Sequence, residues 1–139
     1  MIDKDQALSL LRQVVQEKGP STNQYHDQGG YYFELSDDDF FEAVKTAPRC
    51  IVGHVAVASG DDDFVDALAA DNDARLPNIA RHGNLPLADD AVVVLNNAQI
   101  VQDGHGYVDG DDKLGGHYTT FNDTSWGAAL AYAEERARA

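Results

Sequence analysis

The chain has 139 residues, of which 43% are hydrophobic, and its formal net charge is -14 because it has 24 acidic and 10 basic side chains. This length predicts one domain, residues 1–139, and the apolar fraction excludes an intrinsically disordered chain. The acidity excludes charge-driven binding to nucleic acid or to an anionic membrane. It indicates solubility, a surface for a cationic partner, or mimicry of nucleic-acid charge.

Other features of the composition predict a cytoplasmic protein. A single cysteine, Cys50, excludes an intramolecular disulfide and is typical of a reducing compartment. The first residues lack the basic start and the apolar stretch of a secretory signal. No apolar run approaches the roughly 18 residues that a membrane-spanning helix needs.

The first predicted helix has a recognisable start and stop. Asp3 and Gln6 have the spacing of a capping box, and apolar residues then recur at helical spacing until Gly19. A loop over 21–30 follows, and the aromatic segment 31–35 is predicted to be extended.

The next segment, 36–44, is predicted to be a helix. Ser36 is placed to cap it, and three aspartates would occupy its first turn, facing the positive end of the helix dipole.

The stretch 48–60 is deeply apolar, and its β-branched residues suit a buried strand as well as a helix. Pro48 is acceptable at a first helical position, and Gly60 is a plausible stop. Gly53 would let a neighbouring element approach closely. These three residues favour a helix.

The acidic helix start recurs after the apolar stretch. Residues 60–68 repeat the pattern of 36–44, with a cap at Gly60, three aspartates and an apolar face, so we interpret both as helices that begin for the same physical reason. Residues 71–78 are predicted to form a loop. One helical turn from Pro77 to His82 follows, closed by Gly83.

The segment 90–102 is open to two interpretations. A helix capped by Asp89 or Asp90 is favoured, and a hairpin around a turn at Asn96 and Asn97 is the alternative. The segment 103–120 is rich in glycine and has no regular apolar spacing, so it is predicted to be a long loop insertion.

A last amphipathic helix is capped by Asp123 or Thr124, with Trp126 on its apolar face. The elements together predict a mainly α domain of about five helices, with the long Gly/Asp loop and at most a short sheet.

Two motifs resemble a family of small uncharacterised proteins from actinobacteria and their phages. The segment Arg49-Cys-Ile-Val-Gly53 resembles the family's Cys-x-x-Gly helix, and Phe121-Asn-Asp123 resembles its Trp-Asn-Asp helix start. His54 and Phe121 stand where the family usually has Ala and Trp. The resemblance implies a small helical domain of phage or actinobacterial origin and implies no activity.

Cys50 and His54 are the best candidates for catalysis. Four residues apart on a helix, a thiol and an imidazole share one face and could form a thiolate–imidazolium pair. Their apolar flanks favour the alternative of two structural core residues, because burial opposes ionisation of a thiol. A small Cys/His-dependent enzyme is therefore kept as an alternative function.

No cofactor or metal ion is expected. The five histidines lack the spacing of a zinc motif, and one cysteine cannot build a zinc ribbon. No glycine pattern typical of a phosphate-binding loop precedes a helix.

Two groups of residues are predicted to bind a partner. Tyr107 and Tyr118 are tyrosines in a polar loop, where they often anchor partners, and Asp61, Asp62 and Asp63 form an acidic cluster. We therefore predict a non-enzymatic acidic protein that binds a host or self protein through that protein's basic patch. The alternatives are the Cys/His enzyme and a nucleic-acid mimic.

Overall fold

A computed structural model describes residues 1–21, 23, 31–36, 42–108 and 117–138. Within these residues the chain forms six helices and two antiparallel two-stranded sheets, so the predicted mainly α domain with a short sheet is confirmed. In chain order the elements are α1 (Lys4–Lys18), β1 (Phe33–Leu35), β2 (Ala43–Pro48), α2 (Ile51–Ser59), α3 (Asp62–Ala70), α4 (Leu76–His82), α5 (Asp89–Asp103), β3 (His105–Val108), β4 (His117–Thr120) and α6 (Trp126–Arg138).

Helix α5 is at the centre of the core. It packs against α1, α2, α4, α6 and β3, and from Ala91 to its end only Val93 and Asp103 are exposed. Helix α2 packs between α1 and α5, and its apolar side chains lie in the same core. The two helices with the largest buried share of residues are therefore in contact with each other, as hydrophobic burial requires.

Helix α1 begins as predicted. The Gln6 N–H donates to the Asp3 carboxylate at 2.8 Å, and the Asp3 N–H donates to the Gln6 side chain at 2.9 Å. Ile2, just before this capping box, is hydrogen-bonded to the segment that precedes α5: its N–H donates to the Pro86 carbonyl at 2.8 Å.

The helical interpretation of the apolar stretch 48–60 is confirmed, with a correction at its start. Pro48 is the last residue of β2, and Cys50 is the N-cap of α2. Gly60 ends the helix in the left-handed region, with φ of 68°. A Cβ atom at Gly53 would overlap the carbonyl oxygen of Tyr32, so this glycine does permit a close approach of the chain.

The predicted helix over 36–44 is wrong at its C-terminal end. Ala43 and Val44 belong to β2 and pair with Leu35 and Glu34 of β1. The Ser36 N–H donates to the Glu42 carbonyl at 2.9 Å, so the chain at Ser36 closes a strand pair. Pairing with β1 overrides the local helix-start signal, and residues 37–41 lie outside the described residues.

The cap of α3 is Asp61, one residue after the predicted Gly60. The Asp61 carboxylate accepts from the Asp63 N–H at 3.0 Å and from the Phe64 N–H at 3.3 Å. Gly60 has a positive φ and therefore serves as the end of α2. The predicted turn from Pro77 to His82 is confirmed as α4 (Leu76–His82), with Gly83 as its C-cap, so the loop predicted over 71–78 is wrong from Leu76 onward.

Helix α5 confirms the favoured interpretation of 90–102, and the hairpin alternative is wrong. Its N-cap is Ala88, which makes no side-chain capping bond. Asp89 and Asp90 lie in its first turn, where their charges still face the positive end of the helix dipole.

The last helix also begins later than predicted. The Ala128 N–H donates to the Ser125 hydroxyl at 3.1 Å, so Ser125 occupies the capping position expected for Asp123 or Thr124. The Asp123 carboxylate instead accepts from the Ser125 N–H at 3.0 Å, which fixes the capping residue.

The prediction of an irregular loop over 103–120 is wrong for nine of its residues: Asp103 is the last residue of α5, and eight others lie in strands. His105–Val108 and His117–Thr120 form an antiparallel pair of strands, β3 and β4, and residues 109–116 lie outside the described residues. The glycines of this segment are the reason that β3 was predicted to be loop. A Cβ at Gly106 would overlap the Ile100 side chain, so glycine is needed here for β3 to lie directly on α5.

Candidate functional site

Strand pairing brings the two predicted tyrosines together. Tyr107 of β3 lies opposite Tyr118 of β4, and their ring centroids are 5.4 Å apart at an interplanar angle of 70°. Residues opposite each other in an antiparallel pair share one face, and side chains two residues apart share it too. His105 therefore belongs to the same face, and its ring centroid lies 6.0 Å from that of Tyr118. We call His105, Tyr107 and Tyr118 the aromatic face.

The aromatic face forms one wall of a cavity of ≈ 360 Å³, which we call the aromatic pocket. The other walls come from the chain before β1, from the chain before and at the start of α4, and from α5. The polar residues that line these walls are Tyr32, Asp73, Arg75, Asn96, Gln99 and Asp103. A cavity of this size with aromatic walls and a few converging polar groups has the properties of a ligand-binding site.

A cation already lies against the aromatic face. The guanidinium carbon of Arg75 is 5.5 Å from the centroid of the Tyr107 ring. This distance is within the range of a cation–π contact. Asp73 and Asp103 also line the pocket, so its walls combine aromatic rings with acidic residues.

Partly buried hydrogen bonds hold two parts of the pocket wall in place. The Tyr32 hydroxyl donates to the Ala74 carbonyl at 2.8 Å, which fixes the chain beside Arg75. The Gln102 amide nitrogen donates to the Asp103 carboxylate at 2.8 Å. Burial raises the pKa of Tyr32 well above its usual value, so its hydroxyl remains a neutral donor.

The glutamines at the end of α5 also satisfy the first N–H groups of α2. The Gln102 side-chain oxygen accepts from the Ile51 N–H at 2.6 Å, and that of Gln99 accepts from the Val52 N–H at 3.4 Å. These are orphan donors of a helix start, which would be costly if buried without acceptors. The wall of the pocket is therefore tied to the core.

Cys50 and His54 do not form a reactive pair. Cys50 is fully buried, and its sulfur accepts from the Gly53 N–H at 3.3 Å as the N-cap of α2. Burial raises the pKa of the thiol to about 12. The His54 ring lies edge-on to Trp126, with centroids 5.1 Å apart, and burial, with a smaller contribution from Lys18, lowers its pKa to about 4. Thiol and imidazole are both neutral near pH 7.

The acidic cluster at the start of α3 lies apart from the aromatic pocket. Asp61 is committed to capping, and Asp62 and Asp63 are exposed in the first turn. Asp63 lines a different cavity of ≈ 460 Å³, together with Asp66 and Asp71. None of the three predicted aspartates lines the aromatic pocket.

Sequence reasoning missed Arg75 and His105 as site residues. His105 could have been found from the alternation His-Gly-Tyr-Val, which has the period of a strand with one polar face. Arg75 carried no signal, because its contact with Tyr107 depends on how α4 and the β3–β4 pair sit on α5.

The described part of the chain contains no group of three or more His, Cys, Asp or Glu side chains able to hold a metal ion. Among the same residues, no helix has the length and apolar character needed to cross a membrane.

Comparisons with protein-family models, with curated proteins and with solved structures find no match to this chain. Function is therefore argued from the geometry of the pocket.

Proposed function

We propose that this protein is a non-enzymatic acidic binding protein whose aromatic pocket receives a cationic side chain from a basic segment of a partner protein. The observation that carries the proposal is the guanidinium of Arg75 over Tyr107, 5.5 Å from the ring centroid. It supports the proposal because a guanidinium already lies against the aromatic face of the pocket. Aromatic residues and arginine are also the residue types that dominate binding energy in protein interfaces.

The charge of the whole chain supports a basic partner. A formal charge of -14 attracts a cationic surface over a distance set by the ionic strength, and it raises the rate of encounter. Asp73 and Asp103 extend this negative potential into the pocket. Attraction at long range and cation binding at short range therefore favour the same partner.

The alternative of a Cys/His enzyme receives no support from the geometry. A thiol with a pKa of about 12 supplies almost no thiolate at neutral pH, and Cys50 is fully buried. The sulfur is also engaged as a cap, so it is not presented to a substrate.

The proposal is tested by measuring how the protein binds a fluorescent oligo-arginine peptide, with an oligo-glutamate peptide of equal length as the negative control. We compare Asp73→Asn, inside the pocket, with Asp63→Asn, outside it. Both changes remove one exposed negative charge. We expect Asp73→Asn to weaken binding more, and Tyr118→Ala to weaken it about five-fold, the loss of one aromatic contact of about 1 kcal/mol.

Equal losses from Asp73→Asn and Asp63→Asn, with no loss from Tyr118→Ala, would mean that the peptide binds by diffuse charge and that the pocket is not the site. Tyr118 is 54% exposed, so its replacement should leave the fold intact, which circular dichroism checks.

A further inference from the structure

Arg75 occupies a position that gives its side chain no role in starting α4. It is the N-cap residue of that helix, yet its side chain makes no capping hydrogen bond. The side chain instead extends to the aromatic face, where the guanidinium lies over Tyr107. The contact is therefore a property of the pocket and is not needed for the helix start.

The chemistry of the pocket suits a guanidinium better than an ammonium. A guanidinium is flat, weakly hydrated and able to stack on an aromatic ring while donating hydrogen bonds in its own plane. The aromatic face supplies the rings, and Asn96, Gln99 and Asp103 are among the polar residues that line the pocket around it. A lysine ammonium is compact and strongly hydrated, and would use the rings less well.

The pocket has room for a further side chain. Its volume of ≈ 360 Å³ is open with Arg75 in place, because Arg75 itself forms part of the wall. The face of the Tyr107 ring that carries Arg75, however, accommodates only one guanidinium. An incoming arginine that uses this face must displace the one already there.

We infer that the Tyr107 ring on the wall of the pocket is a guanidinium site, that Arg75 is the guanidinium it holds in the free protein, and that an arginine of the partner replaces Arg75 over Tyr107. The inference rests on the proposed function, since it names the side chain that the basic partner supplies. The apparent affinity for the partner is therefore reduced, because an arginine of the partner can bind only those molecules in which Arg75 has left the Tyr107 ring.

The first test compares Arg75→Ala with Arg81→Ala, using the oligo-arginine peptide and N-acetyl-arginine amide as probes. Both variants lose one positive charge from an exposed arginine, but only Arg75 lines the pocket. Loss of a resident cation–π contact should make Arg75→Ala bind the probes about three-fold more tightly than Arg81→Ala does. The corresponding lysine probes should bind more weakly to both variants.

The second test observes Arg75 directly in the unmodified protein. The Nε–H resonance of Arg75 is followed by NMR while N-acetyl-arginine amide is added. We expect it to move towards the position of a solvent-exposed arginine as the probe binds. A resonance that stays in place while the Tyr107 ring signals respond to the probe would overturn the displacement.

The two proposals fail in different ways. The inference is wrong if Arg75→Ala binds the peptide as tightly as Arg81→Ala does, or less tightly. The proposed function is decided separately, by comparing the peptide affinities of Asp73→Asn and Asp63→Asn. If only Arg75→Ala binds the arginine probes, the guanidinium site stands, but the displacement of Arg75 and the proposed function of the native protein both fall. If no form binds them, both fall.

Discussion

The start of α2 and the aromatic face of β3 and β4 both contain residues that the sequence singles out as functional candidates, but the two regions differ in how their polar groups are satisfied. At the start of α2, Cys50 is buried and its sulfur accepts from Gly53, while Gln102 accepts from Ile51. On the aromatic face, Tyr118 is 54% exposed and Tyr107 holds a cation next to an open cavity.

The difference shows that a reactive residue type is not evidence of a reactive site. Each polar atom named at the start of α2 has an internal partner, and burial keeps the Cys50 thiol protonated. Side chains of the aromatic pocket present rings and charges to a space large enough for a ligand. Three predictions concern the start of α2. If any of them failed, the start of α2 would differ less from the aromatic face in how its polar groups are buried and satisfied.

The largest expected effect is that of Gln102→Leu. The substitution removes the oxygen that accepts from the Ile51 N–H at 2.6 Å, and it leaves that buried donor without its partner. We expect the free energy of unfolding to fall by about 2 kcal/mol, measured by urea denaturation. Gln13→Leu, the same change on the exposed side of α1, should alter it by less than about 0.5 kcal/mol.

Similar losses in the two variants would show that the hydrogen bond from Ile51 contributes little, and that the start of α2 is less tightly held than its geometry indicates.

A smaller effect is expected at Cys50, where alanine and serine should differ. Cys50→Ala removes the atom that accepts from the Gly53 N–H, and should cost about 1 kcal/mol of unfolding free energy. Serine is a strong N-cap residue, so Cys50→Ser keeps an acceptor in place and should cost less than alanine. Thermal and urea denaturation of both variants give the comparison.

A greater loss for serine than for alanine would mean that the site behaves as apolar core and that the sulfur does not act as a cap. Labelling of the native thiol at neutral pH should be slow in either case, because the thiol is buried and its pKa is about 12.

Much of the fold was predictable because its signals are local. The capping box at Asp3 and the glycine stop at Gly60 each concern a few neighbouring residues, and both are where they were expected. The strand β2 was not predictable in this way, since it depends on pairing with β1. In this segment, pairing with β1 outweighed the local pattern of a helix start.

Only two residues of the site, both tyrosines, were predicted from the sequence, and their arrangement was not. Tyr107 and Tyr118 were identified as anchors, yet their pairing required β3 and β4, which glycine had disguised as loop. The spacing of Cys50 and His54 was interpreted as a shared helix face. Cys50 is in fact the cap before the first turn, so its side chain folds back to the Gly53 N–H.

The smallest expected effect is the contribution of His54 to the dependence of stability on pH, because its half-exposed imidazole is partly solvated. Its pKa is lowered from 6.5 to about 4 in the folded protein. The unfolded chain therefore binds more protons than the folded one between these values, so the contribution to stability is present above pH 6.5 and is lost as the pH falls towards 4.

We expect the unfolding free energy of the native protein to decline more steeply from pH 7 to pH 5 than that of His54→Asn, in which the titrating ring is absent. NMR should show the His54 ring still neutral at pH 5. An imidazole that titrates near 6.5 would place His54 in an environment like that of water, and the contrast between an inert interior and an accessible pocket would then rest on Cys50 alone.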